Sequence, residues 1–255
     1  MKNINIYIST FGQKVLKQTY SRPIEVGAAL RDNFLYDLKD NTGDNISTEN
    51  MFFGELSGLY WIWKNDNSNE NDIIGFFHYN KGLDIGKQQL LNLGKNEWMV
   101  LKKCINNPHP ISNEIIATRN IIKNYFPKYL EAWDFAYRTD GSGDICNAAQ
   151  LFVTTYKEFR EYSEFLFGVL MELRKVIGDG DDSPYYKRYC AFMGERLLTV
   201  YLIANNKIII EKNMKYPNRI KTLFGRFINF IGFNKKSFIY LFLQRRYGHK
   251  SSYKK

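Results

Sequence analysis

Polar and apolar positions alternate along Asn3-Ile-Asn-Ile-Tyr-Ile-Ser9, which predicts a first strand over 4–9. Asp72 to Phe77 is a short apolar run and predicts a central strand buried on both faces. Ser21 to Gly27 reads as a short loop and strand, and Ala148 to Thr154 and 207–211 as further strands. Between them the period lengthens. Phe52, Leu56, Leu59, Tyr60 and Trp63 recur every three or four residues, predicting a helix over 52–64 capped by the polar loop 39–50. Further helices are predicted over 113–124, from Pro127 to about Tyr137, over 157–177 and over 186–205. Asp140-Gly-Ser-Gly143 and Gly178-Asp-Gly-Asp-Asp-Ser-Pro184 read as loops, and no repeat is present. This alternation predicts an α/β fold whose mainly parallel sheet has helices on both faces. Ligands of such folds sit beyond the carboxyl ends of the strands, so residues just after 4–9, 72–77 and 148–154 become site candidates.

Composition adds a boundary. The 255 residues suit one large α/β domain, or a domain with an appendage. Net charge is +10, but 12 Lys and Arg and no Asp or Glu lie between Lys212 and Lys255. The first 211 residues are nearly neutral. We therefore expect a folded domain over 1–212 and a basic tail over 213–255. As a helix, Arg219 to Ile231 gathers Ile220, Leu223, Phe224, Phe227, Ile228, Phe230 and Ile231 on one half, opposite Arg219, Lys221 and Arg226. The apolar run Phe238 to Leu243 follows, between Lys235-Lys236 and Arg245-Arg246, and is too short to span a bilayer. The tail is expected to lie on an anionic membrane surface, or to dock on the domain. Cys104, Cys146 and Cys190 are widely spaced without a CxxC, which argues against a disulfide framework or a zinc site and fits a reducing cytoplasm. The amino terminus has no signal-peptide apolar core.

The string Asp44-Asn-Ile-Ser … Glu-Leu … Leu-Tyr-Trp-Ile-Trp-Lys64 resembles a family of small bacterial glycosyltransferases encoded with capsule and O-antigen polysaccharide genes, which has galactofuranosyltransferase relatives. Four further blocks resemble the family in the same order. They are Asp72-Ile-Ile-Gly-Phe-Phe-His-Tyr79; Thr118-Arg-Asn-Ile-Ile through Phe126 to Asp134; Asn147 and the helix Phe159 to Glu172; and Gly194-Glu-Arg-Leu197. The resemblance covers about residue 4 to about 212. It implies a single nucleotide-sugar-binding domain of the GT-A kind.

Candidate chemistry follows from both readings. Ser9 and Thr10 end the first strand, where such a fold meets a nucleoside; an ordinary polar strand end is the plainer explanation. His78, Tyr79, Asn80 and Lys81 follow the central strand and together can hold a diphosphate. The family has Arg-Arg where this chain has Asn80-Lys81, which gives up bidentate phosphate recognition and keeps one positive charge. From their setting Asp44 and Asn45 are turn and cap residues; the resemblance makes them donor-site residues, with Arg119. Asn147 and His109 are candidates for the acceptor side. Glu195, on an apolar helix, is the expected catalytic base, or else a partner of Arg188 or Arg196. No Asp-x-Asp follows the central strand to hold Mn or Mg; the pair Asp179-Gly-Asp181 sits in a Gly-rich loop that a solvated turn explains, so the metal question stays open. Neither a P-loop nor a GxGxxG is present.

The resemblance implies transfer of a hexosyl group, galactofuranosyl among the options, from a UDP-sugar to a lipid-linked glycan at the inner face of the cell membrane. Inversion at the anomeric carbon enters by analogy. The alternative is a catalytically degenerate binding protein on the membrane. Nucleic acid is not an expected partner, because the tail aromatics segregate from the charges.

Overall fold

The computed structural model describes residues 2–15, 20–106, 112–137, 144–180 and 182–216. His109, Asp181 and the tail from 217 onward, including the amphipathic helix reading, lie outside them. The folded unit runs to Lys215, three residues past the boundary expected from charge, because the last short strand pairs back into the domain.

Ten strands and seven helices are formed among the described residues. The chain starts with β1 (Ile4–Thr10) and β2 (Ser21–Glu25). Helices α1 (Asn50–Phe53) and α2 (Leu56–Asn65) precede β3 (Ile73–His78). Then come β4 (Gly82–Leu83), α3 (Lys87–Leu91), β5 (Glu97–Leu101) and β6 (Cys104–Asn106). Helices α4 (Ser112–Tyr125) and α5 (Leu130–Ala136) lead to β7 (Asp144–Cys146) and β8 (Phe152–Thr155). The long α6 (Tyr156–Ile177), α7 (Tyr189–Ala204), β9 (Ile208–Lys212) and β10 (Met214–Lys215) complete the unit.

Six strands form one sheet in the order β2-β1-β3-β8-β5-β9. All its neighbours are parallel except at β8, which runs antiparallel to both β3 and β5. The fold is therefore mixed α/β with a mostly parallel sheet, as the alternation of elements predicts. Period-two side chains divide the core. Tyr7, Ile74, Phe76, Trp98, Val100 and Phe152 face the helices α1, α2 and α4 to α7. Ile6, Ile8, Ile73, Phe77, Met99 and Val153 face the other side, covered by Leu83, Leu90 and Leu93. Gly75 sits between β1 and β8, where an added Cβ would come within 2.6 Å of Ile6 Cδ1 and 3.0 Å of Val153 Cγ2. Its neighbours fill the space that a side chain would need.

The predicted helix 52–64 is two helices. Gly54 breaks it at φ 54°, ψ −132°, a conformation that favours glycine. An added Cβ there would meet the Arg188 guanidinium at 2.9 Å. The predicted strand 148–154 starts late, at Phe152, because Ala149 and Gln150 both take positive φ, 70° and 50°.

Candidate active site

The strand order β2-β1-β3 reverses direction of travel at β1, so the carboxyl ends of β1 and β3 form a topological switch point, the usual crevice of open α/β sheets. Ser9 pairs with His78 across it. His78 to Lys81 is a tight turn, with His78 N–H donating to the Lys81 carbonyl and Tyr79 N–H to the Ser9 carbonyl. This turn aims His78 and Lys81 at one spot.

Two carboxylates meet them there. Glu55, the residue before α2, is buried. Its Oε1 lies 3.8 Å from His78 Nε2 and its Oε2 accepts from Arg188 Nη2 at 2.9 Å. Glu195, in the first half of α7, is half-buried. The Ala149 backbone adjoins both sides, favouring the charged form of Glu195 and the protonated form of His78. His78 Nε2 has no hydrogen-bond partner. Ala149 takes a left-handed backbone, φ 70°, which is costly for a residue with a Cβ.

The environment separates the two carboxyls. Burial raises Glu195, and the Glu55 carboxylate raises it further, against weaker help from Lys81, the Ala149 backbone and Arg196. Burial alone would also raise Glu55, but the His78 ring, then Arg188, then Lys81 outweigh it and hold that carboxyl below its ordinary value. Such a pair assigns roles: a carboxyl poised to exchange a proton beside one that stays charged. Burial also pushes His78 down to about 4, with Glu55 opposing.

That depression has a measurable consequence for stability. An unfolded histidine gains its proton near 6.5, whereas His78 in the fold stays neutral until about pH 4. The unfolded state therefore binds more protons across this window, and stability falls as pH drops through it. We expect the unfolding free energy to fall by on the order of 2 kcal/mol between pH 7 and pH 5 from this group. Urea titrations should show that slope in the parent and a flatter one in His78→Gln.

The structure brings Ser9, His78, Tyr79, Lys81 and Glu195 together, with Thr10 adjoining. The hydroxyls of Ser9 and Thr10 are spent on backbone: Ser9 Oγ donates to the Phe77 carbonyl at 3.2 Å and Thr10 Oγ1 to the Gln13 carbonyl at 2.8 Å. Asp44 and Asn45 sit elsewhere. Asp44 accepts from Tyr60 Oη and faces Lys64, near the carboxyl-terminal end of α2, about 15 Å from Glu55 at its other end. Asn45 caps its own turn through the Ser47 N–H. Arg119 makes a bidentate pair with Asp134 on an exposed surface. Asn147 is fully buried, its amide donating to the Leu101 carbonyl and its backbone N–H to Thr199. Glu55, Arg188 and Ala149 were not among the sequence candidates. A charged residue at Gly54-Glu55, inside an otherwise apolar aromatic run, is the signal that marks Glu55.

Asp179, of the Asp-x-Asp pair, is exposed and pairs with Arg174 at 3.3 Å. Among the described residues, no three or more His, Cys, Asp and Glu side chains are grouped to hold a metal ion.

A family model described as a domain of unknown function (DUF4422) matches residues 5–107 and 99–207. No curated protein matches. Among solved structures, the apo structure of WbbM, a bifunctional glycosyltransferase, superposes with a TM-score of 0.71 at 22% identity. The match covers 84% of this chain and 45% of that one, so it spans less than half of WbbM's length.

Proposed function

The chain belongs to the DUF4422 family, and on that premise, with a fold similar to that of a glycosyltransferase, we propose that it transfers a sugar from a nucleotide diphosphate sugar to a hydroxyl acceptor. One observation carries this reading: a carboxyl with a raised pKa, Glu195, shares the switch-point crevice with a charged carboxylate and two cations, Lys81 and Arg188.

In the reaction, Glu195 takes the proton of the acceptor hydroxyl as its oxygen bonds to the anomeric carbon. The bond from that carbon to the phosphate oxygen breaks, and its electron pair leaves with the nucleoside diphosphate. Lys81 and Arg188 offset the charge that develops on the leaving group. Attack on the face opposite the leaving group inverts the anomeric centre. Glu55 stays ionised and holds Arg188, so the cation is in place before the donor arrives.

A hexosyl group, galactofuranosyl among the options, a UDP donor and a lipid-linked glycan acceptor are the finer form of this proposal. The cationic, phenylalanine-rich residues 213–255 support it, since such a segment suits the inner membrane face where a lipid-linked acceptor would be presented. Turnover of a panel of nucleotide sugars by the full chain in detergent, with and without Mn²⁺, tests it. Saturable release of one nucleoside diphosphate is the expected result. No turnover or binding of any donor by folded protein would overturn it in favour of a binding protein.

A further inference from the structure

A second cavity, of about 710 Å³, opens at the amino-terminal half of β1. That is the size range of small-molecule sites. Its lining comes from β1, the start of β2, the end of α2 and the loop from Asp66 to Asp72. Ser9 and His78 pair at the opposite, carboxyl ends of β1 and β3, so the crevice is about 15 Å away along the strand.

The charges of this lining cancel. Lys2, Arg22, Asp66 and Asp72 are its charged residues. Lys2 Nζ donates to the Leu93 carbonyl at 2.7 Å. Arg22 lies 3.8 Å from Asp66 and over the Tyr7 ring. The Asp66 carboxylate accepts from Tyr7 Oη and the Ser68 N–H, and Asp72 from the N–H groups of Asn3 and Asn69. What remains for a ligand is amide and aromatic surface. Asn3 and Asn69 spend their Nδ2 groups on Asp72, and Asn5 spends its own on Ser68. Each Oδ1 is thereby fixed in place and left to accept from a ligand. Asn67 is exposed, and its amide makes no hydrogen bond among the described residues. Trp61, held by its indole N–H on Thr42, and Tyr20, 36% exposed, supply the aromatic surface.

An anion would find both cations already engaged, and a cation would find both carboxylates engaged. A wholly apolar ligand would cover the amide oxygens without partners. A sugar meets both demands. Its hydroxyls donate to the fixed amide oxygens, and the C–H face of its ring covers an aromatic side chain. We propose that this cavity is a second carbohydrate site, which binds an uncharged segment of a glycan away from the crevice. The ligand class stands on the cavity alone; the link to sugar transfer rests on the transferase reading.

NMR titration of the full chain in detergent with neutral tetrasaccharides of galactose, glucose and mannose, and with tetragalacturonate, tests the site, using Tyr20→Ser and Asn67→Ala. Both side chains are exposed, and thermal melts should match the parent. We expect saturable binding of a neutral tetrasaccharide, weakened about fivefold or more by either variant, and weaker binding of tetragalacturonate. A neutral tetrasaccharide whose affinity neither variant moves would overturn the site. So would folded parent protein that binds none of the three, or that prefers tetragalacturonate. The two readings fail separately. Sugar transfer with no variant-sensitive glycan binding leaves the transferase and removes this site. Variant-sensitive binding with no transfer from any nucleotide sugar leaves the site and removes the transferase.

Discussion

Glu195→Gln should lower sugar transfer by roughly 10²- to 10⁴-fold, the range for loss of a general base, while the protein stays folded. The amide keeps the shape and the contact with the Ala149 peptide face but cannot accept a proton from an acceptor hydroxyl. Because the amide removes the proton acceptor and leaves Lys81 and Arg188 in place, the loss should fall on kcat, with donor affinity little changed. The pH profile adds a readout that a structural role would not move. A base must be ionised to act, and burial followed by the Glu55 carboxylate raises Glu195. In the parent, kcat/KM should therefore rise with pH along a limb above the ordinary carboxylate range, and that limb should vanish in Glu195→Gln. In Glu55→Gln the neighbouring negative charge is gone, so the limb should move to lower pH. Steady-state rates across pH 4 to 8 decide it. Full activity in Glu195→Gln would remove Glu195 from the chemistry.

The apolar patterns place β1, β3 and α6 within a residue or two, and α7 begins three residues after 186 because Tyr186–Arg188 form a 3-10 turn. The break at Gly54 is not in that period. It depends on Arg188, 134 positions later, packing where a Cβ would stand. The strand β5 was not anticipated, since Trp98-Met-Val-Leu101 is a continuous apolar run that fits a buried strand or a helix equally. Within the site, His78, Tyr79, Lys81 and Ser9 were legible because strand ends can be located in sequence. Glu55 and Arg188 meet only through the fold. The Asp44 to Lys64 string shows the converse. Much of its polarity builds a loop: Ser47 Oγ and Ser57 Oγ both donate to the buried Asp40, whose carboxylate also takes the N–H groups of Gly27 and Ala28. Asn50 in turn donates to the Gly54 carbonyl at 2.6 Å. A conspicuous motif can thus act at a distance, by setting the turn from which Glu55 enters the crevice.

Lys207→Met should destabilise the domain by about 3–5 kcal/mol, the cost of stranding one member of a buried ion pair. Lys207 Nζ lies 2.6 Å from Glu158 Oε2, and the two side chains are only 9% and 11% exposed. The same carboxylate oxygen accepts from Trp98 Nε1 at 3.1 Å. Glu158 is in the first turn of α6, Trp98 is in β5 and Lys207 immediately precedes β9, so one carboxylate ties a helix to two neighbouring strands. With the ammonium gone, Glu158 stays buried with the indole N–H but no counter-charge. Urea unfolding at pH 7 should show the shift as a lower midpoint with an unchanged slope. The double variant Glu158→Leu/Lys207→Met should recover much of the loss, because it removes the buried charge as well as its partner. If the single variant is no less stable than the parent, then water solvates Glu158 and the pair is a surface contact. The same variants separate architecture from chemistry. Glu195 is about two and a half turns from the carboxyl-terminal end of α7, and Lys207 lies beyond that end, so below its melting temperature Lys207→Met should keep the parent kcat, whereas Glu195→Gln should keep the parent stability and lose the rate.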